Sequence, residues 1–183
     1  MVPVSAELLP HPSSACAGIR RFHAAIEFGP SRDELRISFR IDGAIGQLRL
    51  PDRSSALRAD GLWQHSCFEA FVRSDAADSY HEFNFAPSGD WAAYRFASRR
   101  DGRQSPAMPA PQMVFRRAAD DFELNAVIAL EAIPDFAVAQ VLQAGLAAVI
   151  EDQDGGLSYW ALAHRAAQPD FHDADTFGLR VTR

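Results

Sequence analysis

Between Leu62 and Phe96 the runs LWQHSCFEAFVR and YHEFNFAPSGDWAAYRF concentrate side chains able to grip a polar ligand. Successive side chains of an extended strand alternate faces, so Cys67, Glu69, Phe71 and Arg73 share one side and Phe68, Ala70 and Val72 the other. Pro87-Ser88-Gly89-Asp90 reads as a hairpin turn, and a loop of two or of four residues gives the same register. That register sets Glu82 opposite Arg95, Asn84 opposite Ala93 and Ala86 near Trp91. On the other face it sets Phe83 opposite Tyr94, Phe85 opposite Ala92 and His81 opposite Phe96. With the preceding strand as neighbour, Glu69, Glu82, Asn84, Arg95 and Trp91 gather on one sheet face, and Trp63 is a further candidate for its rim. Carboxylate, amide and guanidinium groups suit sugar hydroxyls, and an aromatic plane suits the apolar face of the ring. The competing reading is a cross-strand Glu82–Arg95 ion pair on a solvated face, contributing ~0.2–1 kcal/mol.

Other chemistries have fewer of their parts. His65 and Cys67 lie two apart, without third and fourth metal ligands at useful spacing. Asp152-Gln153-Asp154-Gly155 has the start of a calcium loop but not its later ligands, and Asp-Gly between strands is first a turn. Asp170, His172, Asp173 and Asp175 in PDFHDAD form the densest carboxylate and histidine cluster, read first as loop capping and second as a weak cation site. Glu69 and Glu82 on neighbouring strands invite comparison with the ~5–5.5 Å carboxyl separation of retaining glycosidases. No GxSxG, P-loop or dinucleotide fingerprint accompanies them, so a non-catalytic binder is expected.

Period-two alternation dominates the elements that must position these groups. Phe22 to Phe28 and Leu35 to Ile41 form one hairpin pattern around GPSRD. Further strand-like runs span Gly46 to Leu50, Ser66 to Arg73, Tyr80 to Ala86, Trp91 to Ala97, Gln112 to Arg117, Phe122 to Leu130, Gly145 to Glu151, Leu157 to Ala163 and Phe177 to Thr182. About ten short strands divided by Gly, Pro and Asp turns predict an all-β antiparallel sandwich. Pro134 to Leu142 predicts one short helix. Residues 1–183 are expected to form a single domain, with an irregular N-terminal segment over 1–17. The polar loops Pro51 to Asp60 and Ser105 to Gln112 are long enough to help grip a ligand.

Composition narrows the partners. Hydrophobic residues at 48% and charged residues at 23% are globular values. The net charge is 18 − 24 = −6, and every basic residue is arginine; a nucleic-acid partner is not expected from a chain without a positive field. Two cysteines, Cys16 and Cys67, make neither a disulfide framework nor a zinc ribbon. The N-terminal stretch lacks a basic region, and Pro3, Pro10 and Pro12 interrupt its apolar run, so neither a signal peptide nor a membrane span is expected and a cytoplasmic location is. Nothing in the sequence sets an oligomeric state.

LWQHSCFEAFVR, YHEFNFAPSGDWAAYRF and the later SYWALAHRAAQPDFHDADTFGLRV together resemble a bacterial branch of the DOMON-like domains, related to family 9 carbohydrate-binding modules. The resemblance spans most of the chain. It implies a curved antiparallel sandwich whose relatives bind sugars or haem in a pocket on one sheet. For sugar, the implied aromatic platforms are Trp63, Trp91 and Trp160. For haem, held in some relatives by methionine and histidine, the available residues are Met108, Met113, His65, His81, His164 and His172. A saccharide or cell-wall-related sugar is the expected ligand and no cofactor is expected, with haem, calcium and a protein-interaction domain lacking any small ligand as alternatives.

Overall fold

The computed structural model describes residues 2–14, 18–75 and 77–183; Cys16 lies outside them. Twelve strands appear among the described residues: β1 (Val4–Glu7), β2 (Leu9–Pro10), β3 (Ile19–Phe28), β4 (Glu34–Gly43), β5 (Cys67–Ser74), β6 (Tyr80–Phe85), β7 (Trp91–Phe96), β8 (Gln112–Arg117), β9 (Asp121–Ala129), β10 (Val141–Glu151), β11 (Leu157–Ala161) and β12 (Leu179–Thr182). They form two antiparallel sheets of a β-sandwich. One has the order β1-β3-β4-β9-β8; the other runs β2-β11-β10-β5-β6-β7, with β12 also paired to β10. The long β10 takes β5 along one edge, and on its other edge β12 over Val141–Ala144 and β11 over Ala147–Glu151.

Alternation explains the layer between the sheets. Leu35, Ile37, Phe39 and Ile41 from β4 turn inward against Phe68, Ala70 and Val72 from β5, all at most 1% exposed. Phe39 and Phe68 meet across the interface with centroids 5.3 Å apart, and Phe68 stacks on Phe122 at 5.5 Å. The central strands depart from a simple inside–outside pattern. Every residue of β6 is buried, as are the first six of β5. Their outer face carries a second apolar cluster of Phe71, Tyr80, Tyr94, Phe96 and Phe177, on which Phe171 packs. Phe177 reaches this face because Gly145 in β10 has no side chain; a Cβ there would lie 2.7 Å from the Phe177 ring.

The β6–β7 register differs from the expected one by a single residue. Glu82 pairs with Tyr94, Phe83 with Ala93, Asn84 with Ala92 and His81 with Arg95. The turn has three residues, Pro87, Ser88 and Gly89, closed by Ala86 N–H donating to Asp90 C=O at 2.9 Å. An odd loop reverses the parity that even loops give. Gly89 supplies the left-handed step, at φ 97°. As a result Trp91 and Arg95 share the inward-facing row of β7, and Trp91 is 4% exposed within the inter-sheet core.

Three other expectations are corrected. Gly46 to Leu50 is not a strand: Ile45–Gln47 form a 3₁₀ turn and Leu48 makes a lone bridge to Asp152, the apolar spacing reflecting burial of Ile45, Leu48 and Leu50 beneath the turn. The helix α1 covers only Pro134–Ala137, because Val141 and Leu142 are already paired with Thr182 and Val181 of β12. The N-terminal segment contains β1 and β2 rather than being irregular throughout. Phe177 precedes β12, following a 3₁₀ turn at Ala174–Thr176.

Gly89 tests the turn geometry. A Cβ at this position would approach Ser55 C=O to 2.1 Å, in addition to the cost of a positive φ. Gly89→Ala should lower unfolding free energy by at least ~1–3 kcal/mol in urea titrations; a loss below about 0.5 kcal/mol would contradict this turn.

Candidate functional site

The outer face of the seven-stranded sheet carries a cavity of about 520 Å³. Glu69 and Glu82 lie at its floor. Glu69 belongs to a cross-strand row in which Ala161 opposes Ala147, Ala147 opposes Glu69, Glu69 opposes Asn84 and Asn84 opposes Ala92. Larger residues flank it. On one side Phe71, Glu82 and Tyr94 form the next row, and on the other Tyr159 and Val149 stand beside Cys67.

Loops raise the walls. Trp63, from the 3₁₀ turn Leu62–Gln64, meets Tyr94 edge to face at 6.3 Å, and the Tyr94 hydroxyl donates to Asp60. Opposite in strand order, Tyr159 of β11 packs on Phe171 at 6.3 Å. The segment carrying Pro169, Phe171 and His172 closes this side, held by Asp170, which accepts from Arg99 and Arg100. Arg100 itself has φ 58° and lines the cavity with Arg103, whose guanidinium lies 4.9 Å from the Tyr94 ring centroid.

A hydrogen-bond chain links cover and floor. Arg100 N–H donates to the Tyr80 hydroxyl at 3.1 Å, and the same hydroxyl lies 2.7 Å from His172 Nδ1. The other ring nitrogen, His172 Nε2, is 3.7 Å from Glu82 Oε2. Burial and the neighbouring Arg100 charge lower the His172 pKa to about 4, so this contact is neutral imidazole against carboxyl at neutral pH. Glu82 also accepts from Asn84 Nδ2 at 2.7 Å. Burial pushes the Glu82 carboxyl up, against the lowering effect of Asn84, Arg100 and Arg103. Glu69 is pushed well above the usual carboxylate range, first by burial and then by the Glu82 charge. Its Oε1 and the Asn84 Oδ1 accept no hydrogen bond from the protein. Buried oxygens of this kind ordinarily find a partner.

The structure brings together some of the residues expected at the site. Glu69, Glu82 and Asn84 do share a face, and Trp63 is on the cavity rim, 38% exposed. Arg95 and Trp91 do not join them, because the three-residue turn sends both to the opposite face. Arg95 instead contacts Ser79 Oγ at 3.3 Å and Asp135 at 3.7 Å. Trp160 packs in the inter-sheet core. Tyr94 was expected on the other face and His172 only as a cation or haem ligand, and Tyr159, Phe171, Arg100 and Arg103 were not expected at the site; alternation from Trp160 would give Tyr159 its opposite facing, but nothing local places residues 169–172 over this sheet.

The remaining candidates resolve into structural roles. His65 Nδ1 contacts Glu151 at 2.8 Å while Cys67 is buried. Asp152 Oδ1 accepts from Asp154 N–H and Gly156 N–H and so closes a turn. Asp173 caps the 3₁₀ turn at Ala174–Thr176, and Asp175 pairs with Arg165. Among the described residues no group of three or more His, Cys, Asp and Glu is arranged to hold a metal. Haem does not fit the cavity: Met108 and Met113 pack with the inter-sheet core, and the cavity's histidine is engaged with Tyr80 and faces Glu82. A second hollow of about 710 Å³ lies beside Arg49, His65 and Glu151, where Glu151 contacts both of the others.

No protein-family model matches the sequence, and comparison with curated proteins finds no match. Solved structures that resemble the fold include a pair associated with carbohydrate. A "putative carbohydrate-binding protein" from Bacteroides uniformis ATCC 8492 superposes with TM-score 0.67 at 15% identity, covering 98% of this chain and 86% of its own. A family 9 carbohydrate-binding module from Caldicellulosiruptor kristjanssonii, in complex with glucose, superposes with TM-score 0.51 at 12% identity, covering 88% and 75%. The chain thus has a fold like that of the family 9 carbohydrate-binding modules.

The buried carboxyl pair makes stability depend on pH. A carboxyl with a raised folded pKa leaves the native state holding more protons than the unfolded chain between the two values. Stability from Glu69 therefore falls as pH rises above about 4.3, the unfolded value. Glu69→Gln should raise the melting temperature at pH 8 more than at pH 4. Equal shifts at both pH values in thermal melts would show that the carboxyl is not held against its charge.

Proposed function

We propose that the protein binds a saccharide without transforming it, through the cavity on the outer face of the seven-stranded sheet. The observation that carries this reading is the cavity holding Glu69, with its unpartnered Oε1, between the Trp63–Tyr94 and Tyr159–Phe171 walls. A pyranose presents hydroxyls at its edge and C–H groups on its faces, and this mixture of buried acceptors and aromatic surface suits both. A carboxyl held above its usual range by burial can donate when protonated as well as accept. The glucose bound to the Caldicellulosiruptor module supports the same ligand class here.

Binding is favoured over hydrolysis by the placement of the two carboxyls. Glycosidases hold their acid and their base or nucleophile on either side of the scissile bond. Glu69 and Glu82 instead rise from adjacent strands of one face, so both meet a ligand from below. We extend the proposal to a bacterial, cytoplasmic member of the DOMON-like group.

Calorimetry with glucose and a glycan array test it. Trp63→Ala should weaken sugar binding by about 0.5–1.5 kcal/mol, and Glu82→Gln by about 1.5–3 kcal/mol. Arg95→Ala, on the opposite face, should leave affinity unchanged. Silence across the array would overturn the saccharide reading and favour a protein-interaction domain.

A further inference from the structure

The cavity is acidic at its floor and basic at its rim, and the rim has a guanidinium to spare. Arg99 and Arg100 both contact Asp170 and are occupied in holding the cover. Arg103 lines the same cavity, yet among the described residues its side chain has no ion-pair or hydrogen-bond partner; it lies over the ring of Tyr94, and its charge acts on Glu82 without contact. Its backbone is nonetheless fixed. Gly102 at φ 64° turns the chain, and Gln104 is bonded in both directions to Arg95 of β7, at 2.8 and 2.9 Å. A guanidinium stacked on an aromatic ring keeps its edge and its donors free, and its planar fork matches carboxylate or phosphate oxygens.

We infer that the saccharide this cavity takes bears an anionic substituent, carboxylate or phosphate, which Arg103 binds at the rim while the sugar hydroxyls occupy the floor around Glu69 and Glu82. The inference rests on the saccharide reading and narrows it. A neutral sugar would leave the Arg103 fork unused. An anion at the floor would instead meet the Glu82 carboxylate, so the ligand is oriented with its charge outward. The Tyr94 ring, fixed by its hydroxyl bond to Asp60, provides the support on which the guanidinium lies. Arg100, displaced into the left-handed region that non-glycine residues rarely adopt, sits on the same loop; its backbone strain goes with the placement of this basic rim over the site.

Titration calorimetry with glucose, glucuronate and glucose 6-phosphate at low and high salt decides the matter. At least one anionic sugar should bind about 10-fold or more tightly than glucose, the scale of a charge-assisted hydrogen bond. That advantage should shrink with added salt, because the rim is solvent-exposed. In Arg103→Gln the ratio of anionic to neutral affinity should collapse towards one, and Arg103→Lys should restore part of it. Whichever anionic sugar binds more tightly identifies the substituent. Anionic sugars no tighter than glucose, or a preference that survives Arg103→Gln, would overturn the inference and leave the saccharide reading standing. Binding of none of the three would overturn the inference, and silence across the glycan array as well would overturn both.

Discussion

The cover over the outer sheet face is the constraint on which the rest of this molecule depends. A sandwich ordinarily leaves the outer face of each sheet to water. Here Asp170 ties the 169–177 segment to Arg99 and Arg100, His172 reaches Tyr80, and Phe177 seats itself over Gly145. Because that face is covered, β5 and β6 are buried on both sides, and the carboxyls they carry lose the water that would keep them ordinary. The perturbed groups of the site, Glu69, Glu82 and His172, all owe their shifts first to this burial.

The same constraint limits what the sequence could reveal. Alternation within a strand is a property of the chain alone, so the grouping of Glu82 with Asn84, and of Glu69 with Cys67 and Phe71, was legible. Placement across a turn is different. One residue more or less in the Pro87–Gly89 loop exchanges the two faces of β7, and the chain carries Gly89 where a three-residue turn needs a left-handed step as readily as it would in other turns. Trp91 and Tyr94 were thereby interchanged in role, though both strands were located to within a residue.

Most strands were legible for the ordinary reason that their inward faces are apolar. The failures lie where tertiary burial imitates a local pattern. Ile45, Leu48 and Leu50 are spaced like strand residues because a turn is packed over the core, and Val141 and Leu142 look helical beside Phe136 although β12 pairs with them. The site's second wall was illegible for a distance reason: Phe171 and His172 lie some ninety residues beyond β6, and no local periodicity reports a docking of that range.

The carboxyls of the cavity and much of its rim come from different kinds of element. Glu69 and Glu82 stand on β5 and β6, whereas Trp63, Arg103 and Phe171 lie outside the strands. Exchanging one of these loop residues would reshape the rim while the strand pairing that fixes the carboxyls stays as it is. A lineage built on this sheet can therefore drift from one ligand outline to another in small steps, each leaving the fold intact.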